Sequence, residues 1–280
     1  MEKALKKYFL FFVGPTLLAF IVAFVVPFIT GILLSFSRFS TVTDAEWVGF
    51  SNYIRAFSNP DFLNALRLSA AFTVVSVIII NTAAFALALL LTRGFRGTNM
   101  FRTMIFMPNL IGGIVLGYIW QFIINGFLGI FGVTITANPA YGFWGMVILT
   151  NWQFIGYMMI IFIAGLQNIP DEILEAAKID GAGPFAVLRK ILIPMVMPSI
   201  TITLFMTVTN SFKMFDQNLA LTAGGPGKRT AMVALDIYNT FYSRANWEGV
   251  GQAKAMMFFL MVVVISLVQL SVTRRREVVS

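Results

Sequence analysis

Between Thr103 and Pro170 the chain runs for 68 residues without one Asp, Glu, Lys or Arg. A single such charge at the centre of a membrane helix costs about 2.5–3.5 kcal/mol on the insertion scale, so a run of this length reads as lipid-embedded. One crossing takes about 20 residues, which leaves room for two or three. The Gly, Asn and Pro content of residues 125–142 predicts a loop, so the run divides into helices over 104–124 and 143–166.

The rest of the chain repeats this signal. The sequence is 58% hydrophobic and 11% charged, against roughly a quarter charged in ordinary soluble domains. Tyr8–Ser37 carries no charge and is too long for the roughly 7–15-residue core of a signal peptide. It predicts a first helix over 9–34, where Pro15 and Pro27 are tolerable inside a packed membrane helix. Further charge-free runs predict helices over 68–91, 194–212 and 255–272. The expected architecture is an all-α integral membrane protein with six transmembrane helices, the whole of 1–280 forming one domain.

Residues 38–67 are polar, with Trp47, Phe50, Tyr53 and Phe57 interleaved, and read as an external loop on the membrane surface, where aromatic rings favour the headgroup zone. Residues 213–254 are mixed and polar, with Gly224, Gly225, Pro226 and Gly227 making an irregular turn. Six spans put both termini on one side. Twelve of the 20 basic residues fall on that side, in the clusters 3/6/7, 93/96/102, 178/189/190 and 274/275/276. The positive-inside rule assigns that side, and both termini, to the cytoplasm.

Between the fourth and fifth spans lies a polar, helical passage over 168–193. Pro170 and Asp171 suit a helix start. Gly181 and Gly183 can take the left-handed geometry that ends a helix. Pro184 restarts it, with Phe185, Leu188, Ile191 and Leu192 on one apolar face. Ala176 and Ala177 leave a smooth surface that another backbone can approach, and the passage reads as a docking surface.

Glu175, Ala176, Ala177, then Asp180, Gly181, Ala182 and Gly183 resemble the "EAA" loop of bacterial ABC importer permeases. Residues 101–109 (FRTMIFMPN), 212–227 (FKMFDQNLALTAGGPG) and 252–270 resemble the maltose-type, oligosaccharide-transporting branch. The FDxxxxLTxGGP pattern is similar to the MalF-like member of a permease pair. The resemblance implies that the loop is cytoplasmic, forms two short helices and couples to an ATPase subunit through those seven residues. It also implies the partners: a second, MalG-like permease, two ATPase subunits that bind ATP and Mg, and an extracytoplasmic sugar-binding protein, assembled in the bacterial cytoplasmic membrane. This chain itself is expected to hold no cofactor and to meet no nucleic acid.

Other readings are narrowed by what the sequence contains. Cys and His are both absent, which removes thiolate chemistry and the commonest general base and metal ligand. GGPGKRT at 224–230 invites comparison with a phosphate-binding loop, but Thr222 stands where its first glycine belongs and Arg229 follows Lys228, so the pattern fails. An ion-coupled secondary transporter would be expected to carry ionisable residues inside its spans, and the central runs have none. An ABC permease for glycerol-phosphate or another polar solute remains an alternative substrate class.

Gly113 and Gly117 form a G-x-x-x-G close-packing face, or are two unrelated glycines. Lys213 and Asp216 are spaced for a structural ion pair. Thr150, Gln153 and Tyr157 share one face of the fourth span, and Thr203, Thr207, Asn210 and Met214, with Ser211 beside them, line the fifth. Hydroxyl, amide and aromatic groups together suit a sugar, so Gln153, Tyr157, Thr207, Asn210, Ser211 and Met214 are the expected substrate path. The competing explanation is helix–helix packing.

Overall fold

A computed structural model describes residues 2–275, so Arg276 of the last basic cluster lies outside them. The chain divides into two compact units, one of residues up to Pro60 with Ile237–Phe259, the other of Asp61–Asp236 with the residues from Leu260 onward.

The first unit opens with α1 (Glu2–Phe20), a π-helical turn (Ile21–Val25) and α2 (Val26–Ser35). Pro27 has no N–H to return to the preceding turn, and the helix widens there, Val26 N–H donating to Ile21 O. Phe11–Ser35 is long and apolar enough to cross a membrane. A two-stranded antiparallel hairpin follows, β1 (Ser37–Arg38) with β2 (Glu46–Trp47), and then α3 (Ser51–Phe57). Asn52 ties these together by donating to Ser35 O at 3.0 Å and Ser37 O at 2.9 Å. Phe36 gathers Trp47, Phe50 and Tyr53 around it. The surface segment is thus a folded hairpin-and-helix cap rather than a loop, because its aromatic rings have one another to pack on.

The second unit starts with α4 (Pro60–Leu91), eight residues before the predicted 68. Charge-free runs locate the apolar middle of a helix, and the polar turns that extend it past the lipid escape that signal. The third span is not the straight 104–124 helix. α5 (Thr98–Phe106) and a 3₁₀ turn (Met107–Leu110) meet α6 (Gly113–Gly129) at 100°. Pro108, extended Ile111 and Gly112 break the hydrogen-bond ladder between them. α7 (Pro139–Gln167) begins at an Asn138 cap whose Oδ1 accepts from Ala140 N–H at 2.9 Å. Beyond it come α8 (Asp171–Ile179), α9 (Pro184–Val187), a second π turn (Leu188–Leu192), α10 (Ile193–Met195) and α11 (Met197–Phe212). Pro184–Met195 and Met197–Phe212 are bent by 69°, the expected effect of Pro194 and Pro198.

Residues 213–254 are also more regular than predicted, since α12 (Asp216–Thr222), α13 (Val233–Ser243) and the start of α14 (Glu248–Arg274) lie within them. Buried Lys254 in α14 donates to Thr240 Oγ1 at 2.9 Å. Among the described residues, four helices are long and apolar enough to cross a membrane, or up to six if each bent pair is one span.

Two apolar clusters hold the second unit. One joins Phe72, Met146, Leu149, Met214 and Leu221, and the other joins Ile80, Ala84, Met158, Met159 and Phe162. Gly156 lets α7 touch the backbone of Ile105 and Phe106, where any Cβ would collide. That contact fixes the first limb of the bent third span.

Candidate functional site

The predicted docking surface is built around one glycine. Gly181 has φ +73°, a left-handed conformation, and it closes α8 as Asp180 N–H donates to Ala176 O and Ala182 N–H donates to Ala177 O, both at 2.9 Å. Gly183 does not share this role. Its φ of −71° and ψ of 161° are extended, and it stands at the N-cap of α9. Pro170 likewise caps α8 from outside, so that Asp171 is its first residue. Glu175, Ala176, Asp180, Gly181 and Gly183 are exposed, Ala182 is half-buried and Ala177 is buried.

Two large apolar side chains flank the turn in the open, Ile179 at 86% exposure and Phe185 at 72%. Phe185 also borders a groove of about 830 Å³ with Leu174, Leu188, Leu192, Leu89 of α4 and Arg93 just past its end. A rigid turn with a carboxylate and two apolar knobs is suited to seating in a partner's cleft.

Elsewhere in the second unit, α12 lies along α6. A Cβ on Gly117 would come within 2.5 Å of Ala220 Cβ, and one on Gly113 within 2.9 Å of Asp216 Cβ. The G-x-x-x-G pair is therefore a packing face. Asn218 clamps the following turn, donating to Thr230 O at 2.9 Å and Thr222 Oγ1 at 3.1 Å and accepting from Met232 N–H at 2.8 Å. Gly224, Gly227 and Lys228 take positive φ there, and the Gly225–Pro226 bond is cis. Lys213 and Asp216 are both exposed and form no ion pair with each other.

Those two charges border a cleft of about 250 Å³ with Asn210, Gln217, Phe154, Phe215 and Met214. Gln217 Nε2 donates to Gln153 Oε1 at 2.8 Å, and Gln153 Nε2 donates to Ile111 O at 3.2 Å, which satisfies the carbonyl freed at the 100° bend.

The family model for the binding-protein-dependent transport system inner membrane component matches residues 84–278. This chain belongs to that family. The permease is 43% identical over 279 residues to the probable starch degradation products transport system permease protein AmyD of Thermoanaerobacterium thermosulfurigenes, covering 95% of this chain and 94% of the relative. It is 28% identical to the trehalose/maltose transport system permease protein MalF of Thermococcus litoralis, covering 94% and 92%. Among solved structures, a bacterial ABC transporter involved in the import of the polysaccharide alginate superposes with a TM-score of 0.81 at 19% identity, covering 98% of both chains. At that identity the likeness concerns the fold.

Within the permease, Asn210 and Met214 of the expected path reach the cleft, and Gln153 touches its wall through Gln217. Met214 Sδ also accepts from Thr150 Oγ1 at 3.8 Å. Tyr157 sits a turn along α7, its ring 6.4 Å from that of Phe106. Thr207 and Ser211 are buried, with Thr207 accepting from Asn81 at 3.3 Å and donating to Thr203 O at 2.7 Å. Gln217 and Asn81 escaped the sequence reading. Neither belongs to the helical repeats that marked the others, and only the packing brings them to the site.

Proposed function

We propose that this chain is the membrane-spanning subunit of an ATP-driven importer that carries a sugar, an oligosaccharide by kinship with the starch-products and maltose systems, across the cytoplasmic membrane by alternating access. The observation that carries the coupling role is the exposed pair Ile179 and Phe185 astride the Gly181 stop, beside Glu175 and Asp180. In this reading residues 1–280 act as one transmembrane domain with six crossings, each bent pair counting once, and both termini in the cytoplasm. α8 and α9 are then the cytoplasmic two-helix coupling element, formed by Glu175 to Gly183. ATP and Mg are bound, and ATP hydrolysed, by two partner ATPase subunits. A second, MalG-like permease completes the pore, and an extracytoplasmic binding protein delivers the sugar.

The cleft supports the substrate assignment. It offers an amide from Asn210, an amide from Gln217, the opposite charges of Lys213 and Asp216, and two aromatic rings, the mixture that hydroxyls and the C–H face of a sugar call for. Gln153 and Tyr157 on α7, Thr207 and Ser211 on α11, and Met214 just past the end of α11 complete the path.

The test is sugar-stimulated ATP hydrolysis and uptake by the reconstituted complex with its ATPase and binding protein. Tyr157→Ala and Asn210→Ala should each lower uptake while leaving assembly and basal ATPase activity unchanged. Parental uptake by both variants would remove the path from these residues.

A further inference from the structure

The corner where α4 turns into α5 combines an apolar pocket with uncompensated positive charge. The pocket, about 410 Å³, is lined by Leu87, Leu90, Leu91, Phe95, Phe101 and Ile105, and Arg93 stands at it. Leu90, Phe95, Phe101 and, beside them, Met104 are exposed, so in a membrane protein the pocket is continuous with an acyl-facing surface. Arg96 follows Phe95 by one residue, and the stretch from Thr92 to Thr103 holds three arginines and no carboxylate. Arg93 and Arg96 are exposed and make no ion pair among the described residues. Asp171, which borders the larger groove together with Arg93, is not paired with it.

Arg102 is already committed. Its Nη2 donates to Leu91 O at 2.9 Å, closing the end of α4, while its Nε is buried with no partner. It therefore holds the wall of the pocket in place and adds a positive charge beneath it.

We propose that this corner seats an anionic glycerophospholipid, with an acyl chain in the pocket and the phosphate against Arg93 and Arg96. The match is one of charge and of phase: guanidinium groups bind phosphate well, basic pockets at the edge of a span attract anionic headgroups, and the apolar lining accepts only hydrocarbon. The topology proposed above places the lipid in the cytoplasmic leaflet. The binding itself requires no transport step, so it stands or falls separately from the transport reading.

The assay is native mass spectrometry of the intact complex taken from bilayers of equal phosphatidylcholine and phosphatidylglycerol. Only assembled complexes are counted, so misfolded variants do not contribute. The parent should retain phosphatidylglycerol in preference to phosphatidylcholine, and millimolar inorganic phosphate should not displace it. The double variant Arg93→Gln with Arg96→Gln should lose retention by roughly tenfold to thirtyfold. Leu90→Trp, which fills the pocket and keeps the charge, should lower it several-fold. Equal retention of both lipids, equal retention by all variants, or displacement by phosphate would overturn the proposal. So would a loss on removing the arginines with none from Leu90→Trp, because attraction would then be diffuse and no lipid would be seated.

Discussion

On α6, Gly113 and Gly117 meet Asp216 and Ala220 of α12 at contact distance, while on α8 and α9 the small residue Ala176 and the large ones Ile179 and Phe185 stand exposed. Both regions carry small residues, the kind that let another backbone come close. In the first, the approaching backbone belongs to the same chain, and every gap is filled. In the second, large apolar side chains beside Gly181 stand exposed. Burying such a side chain is worth about 1.5–3 kcal/mol, so a rigid turn that keeps two of them outside holds that energy for an encounter. On the proposed reading, the contrast separates a surface used for folding from one kept for assembly.

The largest expected effect breaks the filled surface. Gly117→Val would put a branched side chain where even a Cβ falls 2.5 Å from Ala220, and overpacking of this kind costs about 1–3 kcal/mol. Thermal stability of the purified permease in detergent should fall by that margin, whether or not an ATPase is present. A variant as stable as the parent would mean that α12 does not rest on α6.

The next test sharpens the unfilled surface. Ile179→Ala and Phe185→Ala should leave the permease's own melting temperature unchanged and weaken ATPase binding by about 1–3 kcal/mol each, since truncating an apolar anchor at an interface costs on that order. Gly181→Val sits between the two cases. It strains a φ of +73° by about 1–2 kcal/mol, and should abolish coupled uptake at normal expression. A drop in intrinsic stability from Ile179→Ala, with ATPase affinity unaltered, would make the loop a folding element after all.

The smallest effect concerns the hairpin of β1 and β2. Asp44 Oδ1 accepts backbone N–H bonds from Thr41 at 2.8 Å and Ser40 at 3.0 Å, and these hold its carboxyl below the usual carboxylate range. A lowered pKa means the folded hairpin favours the charged form. Its contribution is present above the ordinary value near 3.9 and is lost as pH falls through the lowered one. Amide exchange at Ser40 and Thr41 should therefore quicken in acid beyond the intrinsic rate. Asp44→Asn should remove that pH dependence while leaving the docking loop untouched.

Much of this was legible before any coordinates, and the reason is chemical. Lipid forbids charge over long distances, so runs such as Thr103–Pro170 announce themselves, and a helix that must stop between two apolar spans needs a residue like Gly181. The same logic overlooked what lies outside the lipid. Helices extended by polar turns, such as α4 from Pro60, have no charge-free signature. α12 lies in a passage that reads only as mixed and polar, because its burial comes from α6, distant in sequence. The ion pair expected of Lys213 and Asp216 fails because Asp216 starts α12 while Lys213 follows the end of α11, so the two do not share one helix.

The 69° bend between Pro184–Met195 and Met197–Phe212 carries a mechanical consequence. Pro194 and Pro198 remove backbone donors from the joint, so its compliance is written into covalent structure and persists in any conformation. The arm on the docking side, 12 residues long, reaches about 18 Å at 1.5 Å per residue. A tilt of about 5° about the joint then moves its far end by roughly 1.6 Å, the scale of a side-chain contact made or broken. On the proposed coupling, such an elbow would turn a small push at Phe185 into a change of angle at the root of α11, whose far end carries Asn210 at the cleft.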